Sequence, residues 1–241
     1  MRGTVPIGAL SPRARLCQDA SVRPSGRMVP LWFLELCRPI VWAVAWLLFR
    51  IRFVGVENVP REGPVILVPN HVSYMDPVLV NIPIHRLLHY MTLEPFFRVP
   101  FLAPLIRWCR AFPVHDDEMD RQAVRTAIRI LRAGETLVIF PEGGRSPDGR
   151  LMPFRPGAFR IALQTEAPVV PVTIAGAFEA WPANRRLPRP GRITVTYHAP
   201  LGRKDVPLDA DRSRRAETLE ALARRRIEEA LGYDREASAT S

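Results

Sequence analysis

Apolar residues fall along this chain in short runs separated by stretches of helical periodicity. The segments 65–69 (VILVP), 136–140 (TLVIF) and 169–175 (VVPVTIA) are nearly unbroken apolar runs of strand length, the pattern of strands covered on both faces. Shorter runs at 51–57, 88–92, 111–115 and 192–198 add four strand candidates. Helical spacing marks 77–84, 97–109, 118–133, 156–166 and 212–232. In 118–133, Met119, Ala123, Ala127, Ile130 and Leu131 recur at helical steps, and Gly134 follows at the place of a C-terminal cap. Strand and helix patterns alternate. This predicts an α/β domain with a largely parallel central sheet flanked by helices.

The first fifty residues break that pattern. Residues 1–27 scatter Arg, Pro and Ser without a core period and contain no signal-peptide pattern, so a disordered leader is expected there. Residues 28–50 are the most apolar part of the chain, but Glu35, Arg38 and Pro39 interrupt them. The clean run from Pro39 to Phe49 is 11 residues, against the ~20 that a spanning helix needs. An N-terminal membrane-associating helical segment lying in the interface is expected, with Trp32, Trp42 and Trp46 as anchors. A buried core helix is the alternative. The main domain is expected over 51–233, with a loop at 183–191 and a frayed tail at 234–241.

Charge sharpens the reading. The 241 residues carry a net charge of +10, and Lys204 is the one lysine among 34 basic residues. Eight arginines stand in residues 1–52 against Asp19 and Glu35, so +6 of the +10 surrounds the apolar segment. A basic, Trp-rich, apolar stretch suits an anionic membrane surface better than a nucleic-acid groove. Cys17, Cys37 and Cys109 are odd in number and form no C-x-x-C, which argues against a disulfide framework or zinc cage and fits a reducing compartment. His85 and His89, four apart, lack an evident third ligand. The chain has no G-x-S-x-G, no G-x-x-x-x-G-K and no G-x-G-x-x-G, so hydrolase elbows and nucleotide loops are unsupported.

Two polar segments follow strand candidates. In NHVSYMDP at 70–77, His71 falls just past the end of the 65–69 strand, where open α/β sheets place ligands. Asp76 and Pro77 make a good helix start, Asp as N-cap and Pro at the first helical position. A carboxylate five residues on also suits orienting an imidazole as a general base. In FPEGGRSPDGR at 140–150, Gly143 and Gly144 permit close backbone approach to a ligand, Glu142 supplies an acceptor, and Arg145 can fork onto phosphate or carboxylate. By composition alone this segment reads equally as a polar turn.

Taken together, the segments resemble the glycerolipid acyltransferase family over roughly residues 50–200. Its N-H-x-x-x-x-D stands here as Asn70, His71 and Asp76, and its F-P-E-G-x-R-S as Phe140, Pro141, Glu142, Gly143, Arg145 and Ser146. Its V-P-V strand stands at Val170, Pro171 and Val172, and FRPGAF at 154–159 is similar to its F-K-x-G-A. The resemblance implies transfer of a fatty acyl group from acyl-CoA or acyl-carrier protein to a lysophospholipid hydroxyl. The first acceptor to expect is 1-acyl-sn-glycerol-3-phosphate, giving phosphatidic acid. It implies catalysis by His71 with Asp76, and substrate binding by Glu142, Gly143, Gly144, Arg145 and Ser146. No cofactor beyond the thioester co-substrate, no metal and no nucleic acid is expected. The implied partners are the bilayer, the acceptor lipid and the acyl donor, at the cytoplasmic face of a membrane.

Three positions depart from the family. Asp116 stands where its second motif ends in Arg, Leu93 where a Lys is common, and Gly144 where Thr is common. The first two remove positive charges, and in the family the second-motif Arg is credited with gripping the acceptor phosphate. Arg110, Arg121 and Arg145 are candidates to replace them. The alternatives are a different lipid acceptor, such as a lyso-ornithine lipid, or a non-catalytic basic membrane-binding protein. The latter explains the charge but not the gathering of His, Asp, Glu and Arg at two strand ends.

Overall fold

All five residues of VILVP are buried, because helices cover both faces of the sheet around them. The computed structural model describes residues 31–100, 102–115, 120–182, 185, 187–207 and 209–233. The expected leader (1–27) and tail (234–241), together with Cys17, Asp116 and Met119, lie outside the described residues. The elements in order are α1 (Leu31–Phe49), β1 (Arg52–Val54), β2 (Val65–Pro69), α2 (Asp76–Asn81), β3 (Leu88–Leu93), α3 (Leu102–Trp108), β4 (Ala111–Val114), α4 (Arg121–Arg132), β5 (Thr136–Val138), α5 (Gly157–Thr165), β6 (Val169–Ala175), α6 (Ala177–Ala180), β7 (Thr194–Tyr197) and α7 (Arg212–Leu231).

The strands form one sheet in the order β1-β7-β6-β2-β5-β3-β4. Every neighbouring pair is parallel except β6 and β7. The expected largely parallel sheet is present, with β7 and β1 running against the other five strands. The described part of the connection between β6 and β7 holds the four-residue α6. Pro171 is tolerated inside β6 because the ladder to β7 is interrupted beside it. Pairing stops at Val172 with Tyr197 and resumes at the Val169–Leu201 bridge, and Pro171 supplies only its carbonyl, to the His198 N–H at 2.9 Å.

Alternate residues of β2 serve two cores. Val65 and Leu67 pack with Phe49 at the end of α1 and with Leu79 and Val80 of α2. Ile66 and Val68 pack with Ala127 and Leu131 of α4, Phe159 and Ala162 of α5, and Leu219, Ala223 and Ile227 of α7. The short helix α2 is pinned from below by two buried tyrosines. Tyr90 Oη donates to Pro77 O and Tyr197 Oη to Val80 O, each at 2.9 Å. Burial pushes both phenol pKa values up, so both remain neutral donors.

Several boundaries move for identifiable reasons. The helix expected over 97–109 divides around Pro100: a 3₁₀ turn covers Glu94–Arg98, Val99 is extended, and α3 starts at Leu102. Helix α4 begins after its cap, since Asp120 Oδ1 accepts the N–H groups of Gln122 and Ala123. Its Gly134 adopts φ +78 and donates to Leu131 O, as a C-terminal glycine should. Helix α1 keeps Phe49 buried but leaves Trp32 67%, Ile40 66% and Leu47 75% exposed, so it is not enclosed in the core. Among the described residues, no helix is long and apolar enough to cross a membrane.

Candidate active site

Strands β2 and β5 are parallel neighbours with Leu67 opposite Val138. The loops that follow them therefore leave the same edge of the sheet, side by side. His71 lies four residues past Leu67 and Glu142 four residues past Val138, so the register that pairs the strands also pairs the two polar segments. Asn70 locks the first loop to the strand on its other side: its side-chain amide accepts the Ile174 N–H at 2.7 Å and donates to the Ile174 carbonyl at 3.0 Å.

Asp76 does not cap α2, contrary to the helix-start reading. The preceding Met75 is already helical and makes no capping bond. The Asp76 carboxylate instead folds back over its own turn, fully buried. Its Oδ2 accepts the N–H groups of Val72 and Ser73, both at 2.7 Å, and contacts His71 Nδ1 at 2.8 Å. A carboxylate partner assigns the proton to Nδ1 and leaves the Nε2 lone pair available. The imidazole also stacks on Phe140, with centroids 4.1 Å apart. It is held by its face and by one nitrogen, and Nε2 has no protein partner among the described residues.

The second loop supports the first. Glu142 Oε1 accepts the His71 backbone N–H at 2.7 Å, and Oε2 accepts the Met152 N–H at 2.9 Å. Burial pushes the Glu142 carboxyl up to about 7 against the two N–H bonds that favour its charged form, and nearby Asp76 adds to the rise. Ser146 donates its N–H to His71 O at 2.8 Å and its hydroxyl to Asp148 at 3.1 Å. Gly143 has φ +72, and a Cβ there would sit 2.6 Å from Arg155 Nε, so the loop needs glycine at this point. Gly144 faces open space: an added Cβ would meet nothing within 4 Å. The Gly143 N–H is used by Phe140 O, whereas the Gly144 N–H has no acceptor among the described residues.

The Arg145 guanidinium lies 3.7 Å over the Tyr74 ring. It pairs with neither Glu142, whose two oxygens take backbone N–H groups, nor Asp148, whose Oδ1 takes the Ser146 hydroxyl and the Arg150 N–H. Of the other candidate cations, Arg110 stands at the opposite edge of the sheet, where β4 begins and where it neighbours Glu135. Arg121 opens α4, the helix that follows edge strand β4. His85 and His89 do not share a helix. His85 contacts Glu35 at 3.1 Å and His89 contacts Glu135 at 3.6 Å.

The structure thus brings together His71, Asp76, Glu142, Gly143, Gly144, Arg145 and Ser146. The carboxylate of Glu142 and the hydroxyl of Ser146 are committed to protein donors and acceptors, while His71 Nε2, the Gly144 N–H and the Arg145 guanidinium remain available. Sequence reading missed Tyr74, although it stands between His71 and Asp76 in the same turn. It also missed Trp181, whose carbonyl accepts the Ser73 hydroxyl at 2.7 Å and which follows a helix too short to leave a periodic signal.

The chain is similar to known acyltransferases. A chloroplastic 1-acyl-sn-glycerol-3-phosphate acyltransferase of Brassica napus is 28% identical over 181 residues, covering 73% of this chain and 52% of that protein. The 1-acyl-sn-glycerol-3-phosphate acyltransferase of Bacillus subtilis (strain 168) is 26% identical over 176 residues, 73% of this chain and 85% of that protein. The crystal structure of the 1-acyl-sn-glycerophosphate acyltransferase PlsC from Thermotoga maritima superposes with a TM-score of 0.64 at 28% identity, covering 83% of this chain and 79% of that one. The chain spans about half the length of the plant relatives it matches. The acyltransferase family model matches residues 50–175; these hold the His71–Asp76 turn and the Glu142 loop, and the chain belongs to the acyltransferase family.

Proposed function

We propose that this protein transfers a fatty acyl group from an acyl thioester, acyl-CoA or acyl-carrier protein, to the free hydroxyl of 1-acyl-sn-glycerol-3-phosphate, giving phosphatidic acid. The observation that carries the reading is the His71–Asp76 contact at 2.8 Å, with Nε2 open beside the Arg145 loop. In this mechanism Nε2 takes the proton of the acceptor hydroxyl as its oxygen attacks the thioester carbonyl. Asp76 holds the imidazole and stabilises its charged form. The tetrahedral intermediate places negative charge on the former carbonyl oxygen, for which the Gly144 N–H is a donor. Collapse breaks the carbon–sulfur bond, and Nε2–H returns the proton to the departing thiolate. Donor and acceptor meet in one complex, so no covalent acyl-enzyme is needed. Arg145 grips the acceptor phosphate. The exposed aromatic and aliphatic side chains of α1, with Arg50 and Arg52 beyond its end, hold the enzyme at an anionic bilayer surface where the acceptor resides.

Leu93 and Asp116, which stand where the family resemblance leads one to expect Lys and Arg, favour a second reading in which the acceptor is a different lysolipid. One experiment tests both. Purified protein is assayed against a panel of lysolipids with each thioester donor, alongside His71→Ala. Phosphatidic acid formed by the wild type and lost in the variant supports the first reading. Turnover confined to another lysolipid supports the second, and no His71-dependent acyl transfer to any acceptor overturns both.

A further inference from the structure

We propose that Tyr74 is a positioning residue for the acceptor phosphate: its ring is the platform that holds Arg145 above the His71–Asp76 turn. This rests on the reading of Arg145 as the phosphate ligand and assigns what orients it.

Tyr74 is an exposed aromatic in a turn whose neighbours Val72, Ser73 and Asp76 are buried. Its backbone position is fixed from both sides. Ser73 donates to Trp181 O at 2.7 Å and accepts the Met75 N–H at 3.3 Å, and Asp76 takes the Val72 and Ser73 N–H groups. The Tyr74 ring is therefore carried by the most constrained turn of the site. It lies 6.0 Å from the Trp181 ring and 3.7 Å from the Arg145 Cζ, so it contacts both the indole and the guanidinium.

The geometry has a chemical consequence. A guanidinium stacked on a ring spends its face on the contact, while its N–H donors lie in the plane and stay available for a two-oxygen grip on a phosphate. Arg145 makes no ion pair with protein among the described residues, so no carboxylate competes with an incoming anion. Without a platform, the long side chain would lose much of its rotamer freedom each time substrate bound. Arg145 stands in the loop that follows β5, beside the loop that carries His71.

The test compares Tyr74→Leu, Tyr74→Phe and Arg145→Lys with wild type, measuring KM for 1-acyl-sn-glycerol-3-phosphate, KM for the acyl donor, kcat and Tm. Tyr74→Leu should raise the acceptor KM about three- to tenfold, with donor KM, kcat and Tm little changed. Tyr74→Phe keeps the ring and should restore the wild-type acceptor KM. In Arg145→Lys, the added Tyr74→Leu change should cost much less than it does alone, since the two residues act as one unit. If Arg145→Lys raises the acceptor KM and Tyr74→Leu does not, the platform role is wrong while the phosphate role stands. If Tyr74→Leu lowers Tm and shifts both KM values alike, the ring is only a packing group and the inference falls. An acceptor KM unchanged in Arg145→Lys overturns the phosphate reading and the inference with it.

Discussion

Glu142 accepts the backbone N–H of His71 at 2.7 Å, across 71 residues of chain. Four residues further on, the Ser146 N–H returns to the His71 carbonyl at 2.8 Å. The peptide groups on both sides of His71 are thereby clamped by the second loop, and its ring is clamped by Asp76 and Phe140. His71 is a rigidly held feature of the fold, and its placement depends on Glu142, Ser146, Asp76 and Phe140.

His71→Ala should lower acyl transfer about 10²–10⁴-fold with unchanged circular dichroism, since the side chain is partly exposed and its backbone bonds survive. Asp76→Asn should lose activity and stability together. One Asp76 oxygen receives two N–H groups and the imidazole, and an amide in its place gives up the charge that all three favour. Near-normal turnover in His71→Ala would remove the base assignment.

Glu142→Gln should destabilise the protein by about 1–3 kcal/mol, because an amide offers one oxygen where two N–H donors converge. The wild type should carry a pH signature that the variant lacks. Its carboxyl sits at about 7, above the ordinary 4.5. Protonation therefore favours the fold: this contribution is complete below about pH 4.5 and is lost as pH rises through about 7. The Tm gap between wild type and variant should narrow from about pH 5 to about pH 8. A gap that stays constant or widens over that range would contradict a raised carboxyl.

The adjacent glycines should respond differently. Gly143→Ala puts a Cβ at φ +72 and 2.6 Å from Arg155 Nε, which should cost at least about 1–2 kcal/mol. Gly144→Ala meets nothing within 4 Å and keeps its N–H, so Tm and turnover should stay near wild type. Equal losses in the two variants would mean that the loop geometry differs from the one described.

Replacing both Trp42 and Trp46 by Ser should weaken co-sedimentation with anionic vesicles while leaving Tm nearly unchanged. The two rings stack on each other at 6.3 Å and both are exposed, so little core packing is lost. Vesicle binding that survives the double change undiminished would show that α1 is not the anchor.

Periodicity was enough to locate the seven strands and the longer helices, most clearly β2, β5 and β6, whose nearly unbroken apolar runs are buried on both faces of the sheet. It failed where structure is too short to repeat, as in α6, or where a single residue such as Pro100 divides an apolar stretch. The family resemblance named the residues of the site, and composition alone left the second loop open as an ordinary turn. What each residue does was decided in three dimensions. Asp76, a plausible helix cap by its neighbours, turned out to hold the imidazole. Glu142 and Ser146, expected on substrate, are engaged by the backbone of the first loop and its surroundings. Arg110, a candidate cation by proximity in sequence, stands at the wrong edge of the sheet, and Tyr74 emerged beneath Arg145. The reason is strand register. Leu67 faces Val138 across parallel β2 and β5, and carrying that pairing four residues onward sets His71 against Glu142. The linear sequence contains both segments but not their juxtaposition, which exists only once the strands between them have chosen their neighbours.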